Sequence, residues 1–243
     1  EGTAAIVTPK GTEGLSFHNE AKTINALVPK LQAQGVQAIG VLIHEGAAQR
    51  RDGGPVNINA CNGITGKVLG VVEQLDPAVD FVVTGHTHQA YNCTINGRSV
   101  TSAQSNGAML TRIDLKLDKT TKDVVDVEAR NIWVDNRKYE KDPAVTKLLE
   151  AYEKIATPLA NRIIGKLEGN LTKQTNDAGE SGLGQVIADA HLYTAKPKDM
   201  GGAQIALMNS GGIRADMTGG DVSYNAIYTV QPFSNVLLTQ TLT

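Results

Sequence analysis

The chain has 243 residues, of which 23 are basic and 25 acidic, so its formal net charge is −2. A charge so close to zero argues against a nucleic-acid polymer or a polybasic membrane surface as the main partner. Apolar residues make up 41% and aromatic residues 4%, so aliphatic side chains must fill most of the core.

The N-terminal stretch EGTAAIVTPKGTEG has no basic segment followed by an apolar one, and it lacks an initiator methionine. We therefore see no signal peptide and expect a chain that was processed or truncated. No stretch of the sequence reaches the roughly 18 consecutive apolar residues of a membrane-spanning helix, so no membrane span is predicted.

The first predicted elements are a helix and a buried strand. Apolar residues recur at helical spacing across residues 20–34, and Gly35 provides a stop signal. Pro29 lies inside this pattern, so a kink or a later start of the helix is expected. The continuous apolar run AIGVLI, residues 38–43, is typical of a strand buried in a parallel sheet.

A second helix and a second strand follow. Thr65 is a candidate N-cap for a helix that runs through Leu75, and residues 80–84 form another short apolar strand. The order helix, strand, helix, strand favours α/β layering.

Three histidines follow the ends of these two strands. His44 comes after the first strand, and His86 and His88 come after the second. In open α/β sheets ligands bind at the carboxyl ends of the strands, so we expect these side chains to meet. Neutral imidazole binds zinc, manganese, iron or nickel, whereas isolated histidines are more often ordinary core or surface residues.

The pattern changes after the histidines. Three segments are typical of successive antiparallel strands, namely 98–103, 109–118 and 124–135. Asp142 and Pro143 then begin a helix. We place the domain junction in or just before that helix.

A second α/β unit is predicted beyond the junction. Residues 182–195 are typical of a helix, and AQIALMN, residues 203–209, is typical of a strand. The glycine-rich turn NSGGIR follows at 209–214, where glycines let the backbone approach a ligand and Arg214 can bind phosphate or carboxylate. The alternative is an ordinary turn with a solvated arginine.

Five motifs in order resemble one known family. IHEG at 43–46 and GHTH at 85–88 are similar to the last two motifs of the calcineurin-like metallophosphoesterases. ESGLGQVIADA at 180–190, NSGGIR at 209–214 and QPFSN at 231–235 resemble the C-terminal domain of the bacterial 5′-nucleotidases and related 2′,3′-cyclic-nucleotide phosphodiesterases. The resemblance covers essentially the whole chain.

The resemblance implies a mixed α/β fold in three parts. Residues 1–140 correspond to the C-terminal half of a layered metallophosphoesterase β-sandwich with flanking helices. Residues 141–160 correspond to a linker helix, and 161–243 to most of the mixed α/β 5′-nucleotidase C-terminal domain, which binds substrate. The family's earlier motifs, Asp-x-His, Gly-Asp and Gly-Asn-His-Asp/Glu, are missing apart from Asp189-Ala190-His191 inside a predicted helix. We therefore expect a chain that is truncated at its N-terminus and ends before its last domain is complete.

By resemblance, the histidines take roles in a dinuclear metal centre. His44 and His86 correspond to ligands of one divalent ion and His88 to a ligand of the other. The two ions are expected to be of the zinc, manganese, iron, cobalt or nickel class. The bridging aspartate and the catalytic histidine of the family are expected before residue 1. The implied activity is metal-dependent hydrolysis of nucleotide phosphoesters, by a 5′-nucleotidase, a 2′,3′-cyclic-nucleotide phosphodiesterase or both.

The resemblance also implies which residues bind a small-molecule nucleotide or nucleoside. They are Asn209, Gly211, Gly212, Arg214, Phe233 and Asn235, with Phe233 in the position that stacks on the base. The run QTNDAGES at 174–181 departs from relatives that often carry an arginine there. Two alternatives therefore stay open: a catalytically incomplete fragment that only binds nucleosides or nucleotides, and a relative that acts on other esters such as nucleotide sugars or sulfur compounds.

The chain has two cysteines, Cys61 and Cys93. Their spacing alone leaves both a disulfide and two buried free thiols open. The pair matches one that bacterial relatives join, so the resemblance implies a disulfide and a periplasmic or secreted bacterial protein. The oligomeric state stays open.

Overall fold

The computed structural model describes residues 3, 7, 9–50, 53–233 and 235–242. The chain forms two compact units, Glu1–Glu140 and Lys141–Thr243. Both units combine helices with strands, so the fold is mixed α/β. Among the described residues, no helix is both long and apolar enough to cross a membrane.

A four-stranded sheet forms the centre of the first unit. Its strands are β1 (Gly40–Leu42), β2 (Phe81–Val83), β3 (Ala90–Ile95) and β4 (Arg98–Ala103), in the order β1-β2-β4-β3. β1, β2 and β4 run parallel, and β3 runs antiparallel to β4. β1 and β2 confirm the two buried strands predicted from the sequence, in shorter form.

The first unit also contains α1 (Pro9–Thr12), α2 (Glu20–Ala33) and α3 (Lys67–Glu73). The side chain of Asn19 caps α2 by accepting a hydrogen bond from the Lys22 N–H at 2.9 Å. Because α2 begins at Glu20 and continues through Pro29, the predicted helix is confirmed and the alternative of a later start is wrong.

The N-cap predicted at Thr65 is wrong. Thr65 pairs with Ala48 in an isolated antiparallel bridge, and α3 begins after Gly66. Gly66 has a φ of +155°, and a Cβ there would lie 2.5 Å from the Cα of Ala47. The N-cap is therefore Gly66, where the chain passes Ala47 too closely for a side chain.

Aliphatic residues from α2, α3 and the sheet form the core of the first unit, among them Val28, Val41, Val72, Val82 and Val100. β5 (Met109–Leu117) and β6 (Val124–Trp133) form an antiparallel ribbon that contacts β3 and β4. β4, β5 and β6 confirm the strands predicted after the histidines, whereas the sequence patterns did not predict β3.

Arg98, the first residue of β4, is buried at 7% exposure. Its guanidinium donates hydrogen bonds to the carbonyl oxygens of Val72, Asp76 and Val79 at 2.9–3.0 Å. Val72 lies in the last turn of α3, where a cation also opposes the negative end of the helix dipole. Arg98 therefore ties α3 and the turn after it to the sheet.

The second unit begins with α4 (Pro143–Ala160). Its N-cap, Asp142, accepts hydrogen bonds from the N–H groups of Ala144 and Val145 at 2.8 and 3.0 Å. The helix predicted to begin at Asp142 and Pro143 is therefore confirmed.

The rest of this unit surrounds a small apolar core of Leu183, Ile187, Ile213 and Val230. Its elements are the antiparallel strands β7 (Ile163–Leu167) and β8 (Gly220–Ser223), the helices α5 (Gly182–Ala195) and α6 (Tyr224–Val230), and two 3₁₀ turns, Lys198–Met200 and Ser210–Gly212. α5 confirms the helix predicted at residues 182–195.

The strand predicted at residues 203–209 is wrong. In the part of the chain that the structure describes, no strand pairs with this segment, and Ile205 and Leu207 are 79% and 87% exposed. An extended apolar run becomes a strand only where a neighbouring strand shares its backbone hydrogen bonds. Here the Ala203 N–H instead donates to the Ala195 carbonyl at the end of α5, at 2.9 Å.

Candidate functional site

The loops that carry His44 and His86 leave the same edge of the first unit's sheet. β1 and β2 are parallel neighbours, with Leu42 opposite Val83, so both strands end side by side. Backbone pairing continues past the strands, because the Ile43 N–H donates to the Val83 carbonyl at 2.9 Å. The two histidines therefore follow strand ends that are fixed against each other.

Further contacts hold these two loops together. The Gly85 N–H donates to the Glu45 carbonyl at 3.2 Å, and the Thr87 hydroxyl donates to the Ala47 carbonyl at 2.7 Å. Gly46, on the His44 loop, faces the GHTH loop. A Cβ at this position would overlap the Gly85 carbonyl oxygen and lie 2.6 Å from Oγ1 of Thr87. The close approach of the loops thus requires glycine at this position.

The rings of His44 and His86 meet edge to face, with centroids 5.2 Å apart and an interplanar angle of 66°. Both side chains are exposed. Within the described ranges, no group of three His, Cys, Asp or Glu side chains is placed to hold a metal ion. The structure therefore brings His44 and His86 together and does not add His88 to them as a three-residue cluster.

His86 and His88 both adopt left-handed backbone conformations, with φ of +67° and +53°. The Thr87 N–H donates to the Gly85 carbonyl at 2.7 Å, which closes a tight turn around His86. Such conformations cost a non-glycine residue about 1–3 kcal/mol and persist where the surroundings enforce them, commonly at ligand sites. Backbone strain therefore supports the GHTH loop as a candidate functional site.

A buried tyrosine, which the sequence analysis did not single out, is hydrogen-bonded to residues beside both histidine loops. Tyr91 is 0% exposed, and its hydroxyl is hydrogen-bonded to the Thr84 hydroxyl and, at 3.2 Å, to the Ala47 N–H. Burial raises the pKa of Tyr91, because the charged phenolate would be poorly solvated there. Its place three residues after His88 was visible in the sequence, but its partnership with Ala47, 44 positions away, was not.

A second missed residue, Asn131 of β6, is 2% exposed and joins several segments. Its amide nitrogen contacts the carbonyl oxygens of Ile58, Tyr91 and Ser102 at 2.8–3.1 Å. Its side-chain oxygen accepts the Thr111 hydroxyl at 2.6 Å. Because a buried amide with all its partners specifies one arrangement, Asn131 fixes the strand that carries Tyr91.

The structure joins Cys61 and Cys93 in a disulfide, the pairing that the resemblance implies. Beside it, the Asn92 N–H donates to the Ala60 carbonyl at 3.1 Å. The two links attach the long segment after His44 to β3. The disulfide thus braces that segment against the sheet.

The second unit contains the residues predicted to bind substrate. Arg214 Nη1 donates to the Gly211 carbonyl at 3.1 Å, and the guanidinium carbon lies 5.4 Å from the centre of the Phe233 ring. The Arg214 N–H donates to the Val230 carbonyl of α6 at 2.9 Å, which fixes the turn to that helix. Gly211, Arg214 and Phe233 are therefore adjacent, although Phe233 is 51% exposed.

The other residues of this unit that were predicted to bind substrate lie around the same turn or on the surface. A Cβ at Gly212 would lie 3.3 Å from Oδ1 of Asn209, so these two residues are close neighbours. The side chains of Asn209 and Asn235 are exposed. The unit thus presents a glycine-rich turn with one cation above one aromatic ring, an arrangement suited to a small anionic and aromatic ligand.

One family model matches most of the second unit. Residues 163–243 match the model of the 5′-nucleotidase, C-terminal domain. The match covers the glycine-rich turn and Phe233.

Relatives extend the similarity along the chain. It is 32% identical over 237 residues to endonuclease YhcR of Bacillus subtilis, and 30% identical over 250 residues to the cell wall protein Lmo0130 of Listeria monocytogenes. The alignment with YhcR includes 98% of this chain and 18% of the relative. The alignment with Lmo0130 includes 96% of this chain and 31% of the relative. The chain thus spans less than a third of either protein.

A solved structure shows the same fold. The 5′-nucleotidase precursor from Thermus thermophilus matches 90% of this chain with a TM-score of 0.66 and 22% identity. The match includes 43% of that chain.

Proposed function

We propose that this chain, whose residues 163–243 belong to the 5′-nucleotidase C-terminal domain family, is part of a metal-dependent hydrolase of nucleotide phosphoesters. The observation that carries the proposal is the contact of the His44 and His86 rings, 5.2 Å between centroids, at the ends of two parallel strands. Two exposed imidazoles in contact, one of them on a strained loop, suit metal binding better than they suit a structural role.

The donor chemistry of the histidine pair fits a divalent ion of the zinc, manganese, iron, cobalt or nickel class. A catalytic ion of this kind commonly has three protein ligands, so His44 and His86 supply part of the ligand set for one ion. We assign His88 to a second ion. A bound ion of this type polarises a phosphoryl oxygen and lowers the pKa of its water ligand.

The chain's own residues prepare this arrangement. Gly46 lets the two loops approach, and the Thr87 hydroxyl donates to the Ala47 carbonyl and fixes the loops against each other. The left-handed backbone conformation of His86 limits the orientations that its imidazole ring can adopt. Pre-organised ligands reduce the ordering that ion binding would otherwise require.

We assign nucleotide recognition to the second unit. Arg214 presents a planar fork of donors that suits phosphate, and the exposed Phe233 ring offers a face for the base. Stacking of a base on an aromatic side chain stabilises binding by about 1–3 kcal/mol. Asn209 and Asn235 are polar surface residues of the same unit that we assign to hydrogen bonds with the sugar or base.

One observation favours a phosphodiester as the substrate. The relative that matches 98% of this chain is named an endonuclease, although the chain spans 18% of that protein. A different candidate function, nucleoside binding without catalysis, is favoured by the exposed Phe233 ring beside Arg214 in the second unit.

We place the protein in the periplasm or outside the cell. The disulfide between Cys61 and Cys93 is of a kind that oxidising compartments maintain. One relative of the chain is named a cell wall protein, which supports the same location.

Phosphate release by the intact protein tests the proposed function. The substrates are a 5′-nucleotide and a 2′,3′-cyclic nucleotide, each assayed before chelation, after chelation and after addition of manganese or zinc. We expect hydrolysis that chelation abolishes and the metal restores, and that His86→Ala lowers about tenfold or more. Hydrolysis that resists chelation would overturn metal dependence, and adenosine binding without any phosphate release would establish the noncatalytic alternative.

A further inference from the structure

We propose that Tyr91 is a positioning residue for the histidine pair. Its hydroxyl links the backbone of the His44 loop to Thr84, which precedes the GHTH loop, and so sets the separation of His44 from His86. The expected effect on metal binding rests on the proposed function, whereas the expected effect on ring separation does not.

The hydrogen bonds around Tyr91 run in one direction. The Thr84 hydroxyl donates to the Thr101 carbonyl at 2.8 Å, and a hydroxyl has one hydrogen to donate. The Tyr91 hydroxyl must therefore donate to the Thr84 oxygen. The Tyr91 oxygen is left to accept the Ala47 N–H at 3.2 Å. Every donor in this relay thus has an acceptor, from Ala47 through Tyr91 and Thr84 to Thr101.

The relay lies in the core of the first unit. Ala47, Tyr91 and Thr101 are 0% exposed, and Thr84 is 8% exposed. Bulk water therefore cannot replace a lost partner, and an unpaired buried donor carries a free-energy penalty that movement of the backbone would relieve. A tyrosine hydroxyl is protonated at neutral pH at its ordinary pKa, and burial raises the pKa of Tyr91 further, so this hydroxyl can donate.

The two ends of the relay stand next to the close contact between the loops. Ala47 follows Gly46 on one loop, and Thr84 precedes Gly85 on the other. If the Ala47 N–H loses its acceptor, rotation of the Gly46–Ala47 peptide is the nearest way to relieve it. That peptide lies between the Glu45 and Ala47 carbonyl groups, which accept the two hydrogen bonds from the GHTH loop. Its rotation therefore shifts that loop and changes the distance between the two rings.

Variants at two positions separate this role from packing. Tyr91→Phe fills the same space without the hydroxyl and so removes the acceptor of the Ala47 N–H. Thr84→Val keeps the shape but removes the acceptor of the Tyr91 O–H, so the tyrosine hydroxyl must move away from its position beside Ala47 to find another acceptor. Thr84→Ser retains the hydroxyl and should rescue the relay. Val68→Ala is the control for lost stability, because Val68 is 0% exposed in the same core and takes no part in the relay.

The first measurement is the nuclear Overhauser contact between the His44 and His86 ring protons in the metal-free chain. We expect Tyr91→Phe and Thr84→Val to weaken it, and Thr84→Ser and Val68→Ala to preserve it. Retention of the contact in both Tyr91→Phe and Thr84→Val would overturn the proposal, whatever the role of metal.

The second measurement is titration of the same variants with Co²⁺, followed by its visible absorption. We expect the dissociation constant to rise about tenfold in Tyr91→Phe and Thr84→Val, as for other residues that orient metal ligands, and to stay unchanged in the two controls. Loss of the ring contact with unchanged Co²⁺ affinity would uphold the positioning role of Tyr91 and contradict the proposed metal role of the histidines.

Discussion

Replacing Gly46 by alanine should force the two histidine loops apart. The new Cβ would overlap the Gly85 carbonyl oxygen and lie 2.6 Å from Oγ1 of Thr87. The threonine hydroxyl can rotate away, but the carbonyl belongs to the backbone and cannot. The loops must therefore separate, and the contact between the His44 and His86 rings should weaken.

The expected cost follows from the bonds that this separation breaks. The Gly85–Glu45 and Thr87–Ala47 hydrogen bonds span 3.2 and 2.7 Å, and each contributes about 0.5–1.5 kcal/mol to stability. Overpacking of a well-packed region costs about 1–3 kcal/mol more. We therefore expect Gly46→Ala to lower the free energy of unfolding by about 2–6 kcal/mol.

Urea unfolding measures this change, and the nuclear Overhauser contact between the two rings measures the separation. Gly70→Ala is the matched control, because Gly70 lies in α3 with no atom within 4 Å of a Cβ built there. It should raise stability by up to about 1 kcal/mol through helix propensity. If Gly46→Ala unfolds at the same urea concentration as the wild type and keeps the ring contact, the reasoning is refuted.

Three other predictions follow from particular side chains. Arg98→Met leaves buried carbonyl oxygens without donors and should lower the free energy of unfolding in urea by about 2–4 kcal/mol. Arg112 forms an exposed ion pair with Asp114, so Arg112→Met should change the free energy of unfolding by less than about 1 kcal/mol. Equal effects of the two substitutions would contradict the role of Arg98. Burial raises the pKa of the Asp80 carboxyl group in the folded chain. Protonation of Asp80 therefore stabilises the fold below the ordinary aspartate pKa, and this stabilisation is lost as the pH rises through the raised pKa of the folded state. In Asp80→Asn the free energy of unfolding should therefore decline less between about pH 3 and pH 7. Identical pH profiles of the variant and the wild type would contradict the raised pKa of Asp80. Phe233→Ala should raise KM for a nucleotide by a factor equivalent to about 1–3 kcal/mol and leave KM for a simple aryl phosphate unchanged, so equal increases would argue against base stacking.

The meeting of His44 and His86 was predictable from sequence. Each follows a short apolar run, and parallel neighbouring strands end at the same edge of a sheet. The left-handed conformations of His86 and His88 were not predictable, because residues other than glycine rarely adopt a positive φ.

Other parts of the fold depended on partners that local patterns do not reveal. Residues 203–209 have the composition of a strand, but strand formation also needs a neighbour to share hydrogen bonds. β3 was missed although Asn96-Gly97 is a strong hairpin signal, and both residues have the positive φ that a type I′ turn requires.

The buried polar network was likewise beyond local patterns. Tyr91 contacts Ala47 and Asn131, which lie 44 and 40 positions away. A tyrosine or an asparagine on a strand has no sequence signature that identifies such distant partners. The scaffold behind the histidine loops is therefore visible only once the chain is folded.

The most direct test of the proposed metal centre is the number of divalent ions that the intact protein retains after dialysis against metal-free buffer. Elemental analysis should find bound ions in the wild type and at least one fewer in His44→Ala and in His86→Ala. His191→Ala, in α5 of the second unit, should retain the wild-type number. Absence of bound ions in the wild type, or an equal number in all four proteins, would contradict the assignment of His44 and His86 as metal ligands.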